Sequence, residues 1–183
     1  TTETLRVGLD ANGDQVFLDG FFLTDEELSM TNQKPYVIYG FAAVPPNKTL
    51  NIQAGARLHF HDGSGLIAAN EASIQAVGDY SLTDALENEI IFESDRLEPE
   101  FAEVPGQWSS VWLTAGSTNH IFDHVTIKNS TVGILMDSND GSQDPTLQLK
   151  NTKIYNSSNV GLLARTGYVT AQNLVINNAG QAA

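Results

Sequence analysis

Two histidines, His59 and His61, stand two residues apart in the run Arg57-Leu58-His59-Phe60-His61. On a strand, such a pair shares one face and could bite a metal ion. No third ligand is evident beside them. Leu58 and Phe60 claim the inner face, so the histidines read as an outward, solvated pair. His120 and His124 flank Phe122, and His124 reads as a turn residue bonding backbone. An acidic stretch holds Asp84, Glu87, Glu89, Glu93, Asp95, Glu98, Glu100 and Glu103, with Arg96 alone to offset them. Two carboxylates held about 5–10 Å apart could hydrolyse a glycoside, and a tighter group could hold Ca²⁺. A solvated acidic loop gives the same pattern. Trp108 and Trp112 follow closely, so Glu98 and Glu100 beside an indole face form a candidate sugar site. By parity with Val111 and Leu113, Trp112 points outward or lies beneath the acidic segment. Asp137, Asn139 and Asp140 alternate oxygen ligands like the start of a calcium loop, as do Asp10, Asn12 and Asp14. Neither run has Glu at its twelfth place, which is Phe21 for the loop starting at Asp10. No cofactor is required by these patterns, and calcium is the candidate metal.

The elements that must position these groups are short. The chain has 183 residues, 41% of them hydrophobic, with 22 acidic and 9 basic side chains and a net charge of −13. This balance argues against a nucleic-acid partner, which needs Lys and Arg to neutralise phosphate, and against docking on anionic lipid. The absence of cysteine excludes disulfides, thiolate catalysis and cysteine-ligated zinc. No apolar run approaches the roughly 20 residues that span a bilayer. Helix signals are nearly absent: Thr24 to Met30, with Thr24 as cap and Glu27 three residues on, is one short helix at most. The rest reads as short strands between Gly, Asn, Asp and Ser.

Three C-terminal segments superpose: Phe122 to Asn129, Leu149 to Asn156 and Ala171 to Asn178, at offsets of 27 and 22 residues. Phe122, Leu149 and Ala171 make one column; Val125, Thr152 and Leu174 another; Ile127, Ile154 and Ile176 a third. Asn129, Asn156 and Asn178 make a polar fourth. The first two segments continue alike, as Val132-Gly133-Ile134 and Val160-Gly161-Leu162. One winding cannot bury its own apolar side, but stacked windings about 4.8 Å apart can. The columns therefore predict an all-β parallel solenoid. Asn at a tight turn tolerates left-handed geometry, and stacked amides can bond one another.

The run from Leu50 to Phe60 resembles the "L-x-I-x-x-G-x-x-I/L-x-F" entry coil of exported right-handed parallel β-helix surface proteins of the Bacteroidetes. Asp95-Arg96-Leu97-Glu98-Pro99 and then Val104-Pro105-Gly106-Gln107-Trp108 resemble that family's insert and its "PG(Q/D)WGGI" strand. The run from His124 to Ile134 resembles its "IKNATVGI" coil. The resemblance covers about residues 36–180 and departs at Ser109-Ser110, where the family has Gly-Gly. It implies a right-handed, pectin-lyase-like β-helix, exported to the cell surface or outside the cell and often tethered as a lipoprotein. It supplies no reaction.

The expected organisation is an N-terminal cap over residues 1–35 and coils over 36–183, with an acidic insert at about 84–107. The chain stops in mid-repeat, so the coils are expected to continue or to be covered by a partner. The expected function is a rigid structural or binding module, an accessory subunit of an outer-membrane assembly with protein or glycan partners. A polysaccharide lyase or hydrolase is the alternative and a calcium-stabilised adhesin the next. The Asn-Thr-Asp, Asp-Asp, Gly-His-Gly and Arg-x-Lys motifs of polygalacturonase-like members are missing. Lys128 aligns with Tyr155 and Asn177, so no basic ladder forms to abstract protons from uronates. Catalysis is therefore the weaker expectation.

Overall fold

The computed structural model describes residues 8–9, 15–16, 20–137 and 146–180. Short strands recur in a fixed order on three faces of a parallel β-helix. Face one carries Ser29–Met30, Thr49–Gln53, Ser73–Val77 and His120–Asp123, then the first parts of Leu147–Ser157 and Val169–Ala179. Face two carries Tyr36–Ile38, Arg57–Phe60, Ile90–Ser94 and Val125–Lys128, then the second parts of the same two long strands. Face three is a six-stranded sheet of Gly20–Phe22, Phe41–Val44, Gly65–Ala68, Val111–Leu113, Val132–Met136 and Val160–Ala164. All pairings between windings are parallel; the outlying runs Gly8–Leu9 and Gln15–Val16 pair antiparallel with each other.

The register explains why these residues form strands at all. On face one Ile52, Ala76, Phe122, Leu149 and Ala171 lie in line. On face two the line is Leu58, Phe92, Ile127, Ile154 and Ile176. On face three it is Ala42, Leu66, Val111, Ile134 and Leu162. These columns meet inside the coil, where Phe60, Phe92, Ile127 and Ile154 are fully buried. Each such side chain contributes about 1.5–3 kcal/mol by leaving water. The Val-Gly repeat also gains a reason. A Cβ on Gly133 or Gly161 would collide with the Cγ2 of Ile154 or Ile176, so glycine admits the isoleucine tips. Thr152, in an otherwise apolar column, is satisfied by donating to the carbonyls of Phe122 and Lys150, at 3.1 and 2.7 Å.

The corners are as regular as the columns. Asn129, Asn156 and Asn178 turn the chain from face two toward face three with φ of 64°, 55° and 52°. Asn178 Nδ2 donates to Asn156 Oδ1 at 2.6 Å, and Asn156 Nδ2 to Asn129 Oδ1 at 3.2 Å. A second ladder runs along the corner between faces one and two. Asn173 Nδ2 donates to Asn151 Oδ1 and Asn151 Nδ2 to Asp123 Oδ1, both at 2.9 Å. His124 takes the equivalent left-handed position, but its Nδ1 lies 2.9 Å from the Asp123 carboxylate rather than on backbone.

Two expected boundaries move. Gly20–Phe22 pairs in register with Phe41–Val44, and Ser29–Met30 with Thr49–Gln53, so winding begins inside residues 1–35. The helix expected at Thr24 is a single turn, closed by the Thr24 amide and hydroxyl on Glu27 Oε2 at 2.6 and 2.7 Å. The described residues hold no α-helix, only a 3-10 turn at Pro99–Phe101. The acidic insert divides in two, because Ile90–Ser94 in its middle is a strand of face two. Residues 78–89 leave at one corner of this winding and residues 95–110 at the next.

Two outcomes are expected. Asn156→Ala loses about 2–3 kcal/mol, from a left-handed alanine and broken amide bonds, whereas Asn156→Gly keeps the turn and loses about 1 kcal/mol; urea unfolding separates them. His120 is fully buried, accepts the Ile74 amide on Nδ1 at 3.2 Å, and is held by burial down at about 4. The unfolded chain therefore takes up this proton near pH 6.5 while the folded chain resists it. Stability falls as pH drops from 6.5 to 4, by up to about 3 kcal/mol, and then levels. His120→Gln should flatten that slope in urea titrations across the window.

Candidate functional site

The two excursions flank the outer side of face two. Residues 78–89 are pinned by Arg57, whose guanidinium donates to the carbonyls of Glu89 and Leu86 at 2.6 and 2.7 Å and of Ala85 at 3.3 Å. Burial lowers the Arg57 pKa against the opposing pull of Glu93 and Glu89. Residues 95–110 are pinned by the Asn ladder: Asn129 Nδ2 donates to the Ala102 carbonyl at 2.9 Å and Asn156 Nδ2 to Glu103 Oε2 at 2.6 Å. Trp108 closes this excursion. It is 1% exposed, stacks on Phe60 at 4.3 Å between ring centroids, and donates from Nε1 to the Lys128 carbonyl at 2.8 Å. It therefore offers no face to a sugar, which corrects the expectation drawn from its neighbourhood of carboxylates. Glu98 and Glu100 are exposed, with Glu98 3.6 Å from Arg96.

Between the excursions, face two presents charge. Lys128 Nζ sits 2.6 Å from Glu93 Oε2, and His59 Nδ1 lies 3.6 Å from Glu93 Oε1. Glu89, nearly buried, accepts from Thr126 Oγ1 at 2.7 Å and from Lys153 Nζ at 2.8 Å. Burial alone would lower the Lys128 ammonium, but the Glu93 hydrogen bond and charge outweigh it and hold it above the usual lysine value. Burial raises the Tyr155 phenol, so it stays protonated at neutral pH. His59 is covered rather than solvated, against the expectation for an outward histidine. The metal reading gains nothing: among the described residues no three His, Asp or Glu side chains gather to hold an ion.

His61 has a different neighbour. Its Nδ1 lies 2.8 Å from Asp95 Oδ2, its ring packs tilted at 34° against Tyr39 with centroids 4.6 Å apart, and its side chain is 48% exposed. It opens on a cleft of about 230 Å³ whose other wall is Phe101, Val104, Pro105 and Gln107. Sequence spacing missed this pair because the residues are 34 apart. The signal was present: Phe60 and Ser94 are register partners, so the residues after them meet.

Face three differs from the other two. Its outward row is Phe22, Ala43, Ile67, Trp112, Leu135 and Leu163, each the register partner of the next. Phe22 is 55% exposed and the others are partly exposed. Trp112 thus stands on the outward row, partly exposed, and donates from Nε1 to Asp137 Oδ2 at 2.7 Å. Arg165 reaches the other Asp137 oxygen at 3.4 Å. Asp137 is therefore engaged by an indole and a guanidinium, which leaves it little part in a calcium loop; Asn139 and Asp140, like Asp10, Asn12 and Asp14, lie outside the described residues. No helix among the described residues is long and apolar enough to cross a membrane.

The fold is a parallel β-helix whose third face carries an unbroken outward apolar row, while the other two faces are mainly polar or charged. No family model, no curated protein and no solved structure matches the chain.

The charge pairs carry a prediction. Glu93→Gln strands the half-buried Lys128 ammonium and should cost about 1–3 kcal/mol in urea unfolding, while adding Lys128→Met should recover most of the loss.

Proposed function

We propose that this chain is an exported, surface-displayed β-helix that acts as a rigid binding module, an accessory subunit docked on a protein of an outer-membrane assembly. The observation that carries this reading is the outward apolar row of face three. Face one turns out mostly polar groups, Thr49, Asn51, Gln53, Gln75, Gln148 and Thr170, with Val77 and Ile121 among them, and face two mixes ionic groups with the exposed Val37 and Val175. Among the described residues, face three alone carries an aliphatic or aromatic side chain in every winding of its outward row, while those of faces one and two stand singly. Contiguous apolar surface of this kind marks a protein contact. Export and surface display rest on the resemblance of the chain's motif order to that of the Bacteroidetes β-helix proteins.

The charged face argues for a module over a catalyst. A general base must be free to take a substrate proton. Lys128 and Lys153 are instead held by Glu93 and Glu89, and Arg57 by backbone carbonyls. The net charge of −13 also repels polyuronates. A carbohydrate-active enzyme is the second reading, favoured by the open His61–Asp95 pair, since a carboxylate-oriented imidazole can act on water or a hydroxyl.

Affinity capture from native outer membranes tests the proposal. The wild-type chain should retain a membrane protein that Leu135→Lys and Ile67→Lys release, with circular dichroism and melting unchanged. Retention unaffected by both substitutions, or capture of this chain alone, would overturn the docking role. Release of oligosaccharide products from a polysaccharide panel, abolished by His61→Ala, would favour the enzyme.

A further inference from the structure

We infer that face three of the free chain is covered by face three of a second copy, related by a two-fold axis that runs along the strands between the levels of Ile67 and Trp112. This rests on the reading of face three as a protein contact, and it names the occupant of that face while the assembly partner is absent.

Charge selects a copy. The chain carries a net charge of −13, so two chains repel each other wherever their ionic surfaces meet. Face three is free of that repulsion. Among the described residues of its six strands and those that directly follow them, the ionic side chains are Asp137 and Arg165, and these pair with each other at 3.4 Å. Beside the row stand Phe41, whose ring lies over Gly65, and the uncharged Pro45, Ala69 and Thr114. No unpaired charge has to leave water when two such faces meet, and an unpaired buried charge is the costliest defect of an interface. A partner surface rich in Lys or Arg finds no free counter-charge on this face.

The row is also complementary to itself. It runs Phe22, Ala43, Ile67, Trp112, Leu135 and Leu163, one residue per winding. The two-fold axis sets the two solenoids antiparallel, so the ends of one row meet the opposite ends of the other. Phe22 then packs on Leu163, the small Ala43 leaves room for Leu135, and Trp112 lies over Ile67. Asp137 falls opposite Pro45, so no like charges oppose. An isologous contact forms each of these pairs twice. With the solenoids parallel each residue meets itself, and Ala43 on Ala43 leaves a gap while Trp112 on Trp112 holds the sheets apart.

The size of the face fits a dimer that can also come apart. Windings about 4.8 Å apart and strands of three to five residues make a sheet of roughly 25 Å by 10–15 Å. Two such sheets packed face to face bury on the order of 1,000 Å² of accessible surface, at the low end for a specific contact. A contact of that size shields the apolar row from non-specific association. It still yields to an assembly partner that covers the same row more tightly.

Sedimentation equilibrium of the purified full chain tests this. The wild-type chain should show a reversible monomer–dimer equilibrium. Leu135→Lys and Ala43→Glu should each weaken the dimer about a hundredfold. Circular dichroism should be unchanged, because both positions lie on the outward row. Mixing the two variants should restore a heterodimer, since the introduced carboxylate and ammonium then face each other at one Ala43–Leu135 contact while the other stays native. A misfolded variant cannot give that recovery. The inference is overturned if the wild-type chain is a monomer at every concentration, if neither variant alters the equilibrium, if the mixture stays monomeric, or if the chain floats as a monomer with phosphatidylcholine vesicles. A chain that dimerises in this way but captures no membrane protein refutes the docking role alone. A monomeric chain that still captures one refutes the dimer alone.

Discussion

The strands of the windings depend on one geometric demand: an inward side chain must fall directly over its counterpart in the next winding. Parallel strands lie about 4.8 Å apart, so an inward Ile excludes water with the residues directly above and below it and with the side chains and glycines of the other faces. Phe92, Ile127, Ile154 and Ile176 meet that demand on face two, and the aromatic set of Phe60, Phe92, Phe122 and Trp108 fills the centre of the coil. A strand longer by one residue would turn its apolar set outward. Length can therefore vary only at corners, and both long excursions of the chain leave there.

The corners must in turn reset the register after each face. A left-handed residue does this in one step, and glycine could supply it. Asparagine supplies it together with an amide that bonds the next winding, so each corner is both a hinge and a rung. The energy per rung is small, about 1 kcal/mol net. Its larger effect is specificity, because an Asn displaced from the column leaves a partly buried amide unpaired.

The parts of the fold legible in the sequence were those where this demand acts without interruption. The windings from Phe122 onward have near-constant spacing, and their Ile and Asn columns could be read directly. Residues 20–30 escaped notice because Gly20–Phe22 and Ser29–Met30 are too short to show alternation, and only their register partners identify them as strands. Glu89 to Phe92 reads as a short strand in the sequence, yet it fell within the span drawn for an acidic insert because the carboxylates on either side of it dominate the composition. The site suffered most. Outward parity places Trp112 but says nothing of Trp108, which lies outside the named strands, at an isolated bridge to Ser130. The His61–Asp95 pair needed the register of Phe60 and Ser94, information carried by the repeat rather than by either motif.

That same rigidity separates what folding requires from what it does not. Inward positions are dictated by the column, and corner positions by φ. Outward positions answer to neither, since a threonine or lysine there would leave every buried column intact. Face one follows this freedom toward polar residues, as solubility favours for surface strands. The Lys153–Glu89 and Lys128–Glu93 pairs of face two help anchor the winding from which both excursions leave. Ile67, Trp112, Leu135 and Leu163 on face three have no comparable structural reason. The docking role proposed above rests on this apolar row, which repeats at positions that packing leaves free on a chain otherwise rich in carboxylates.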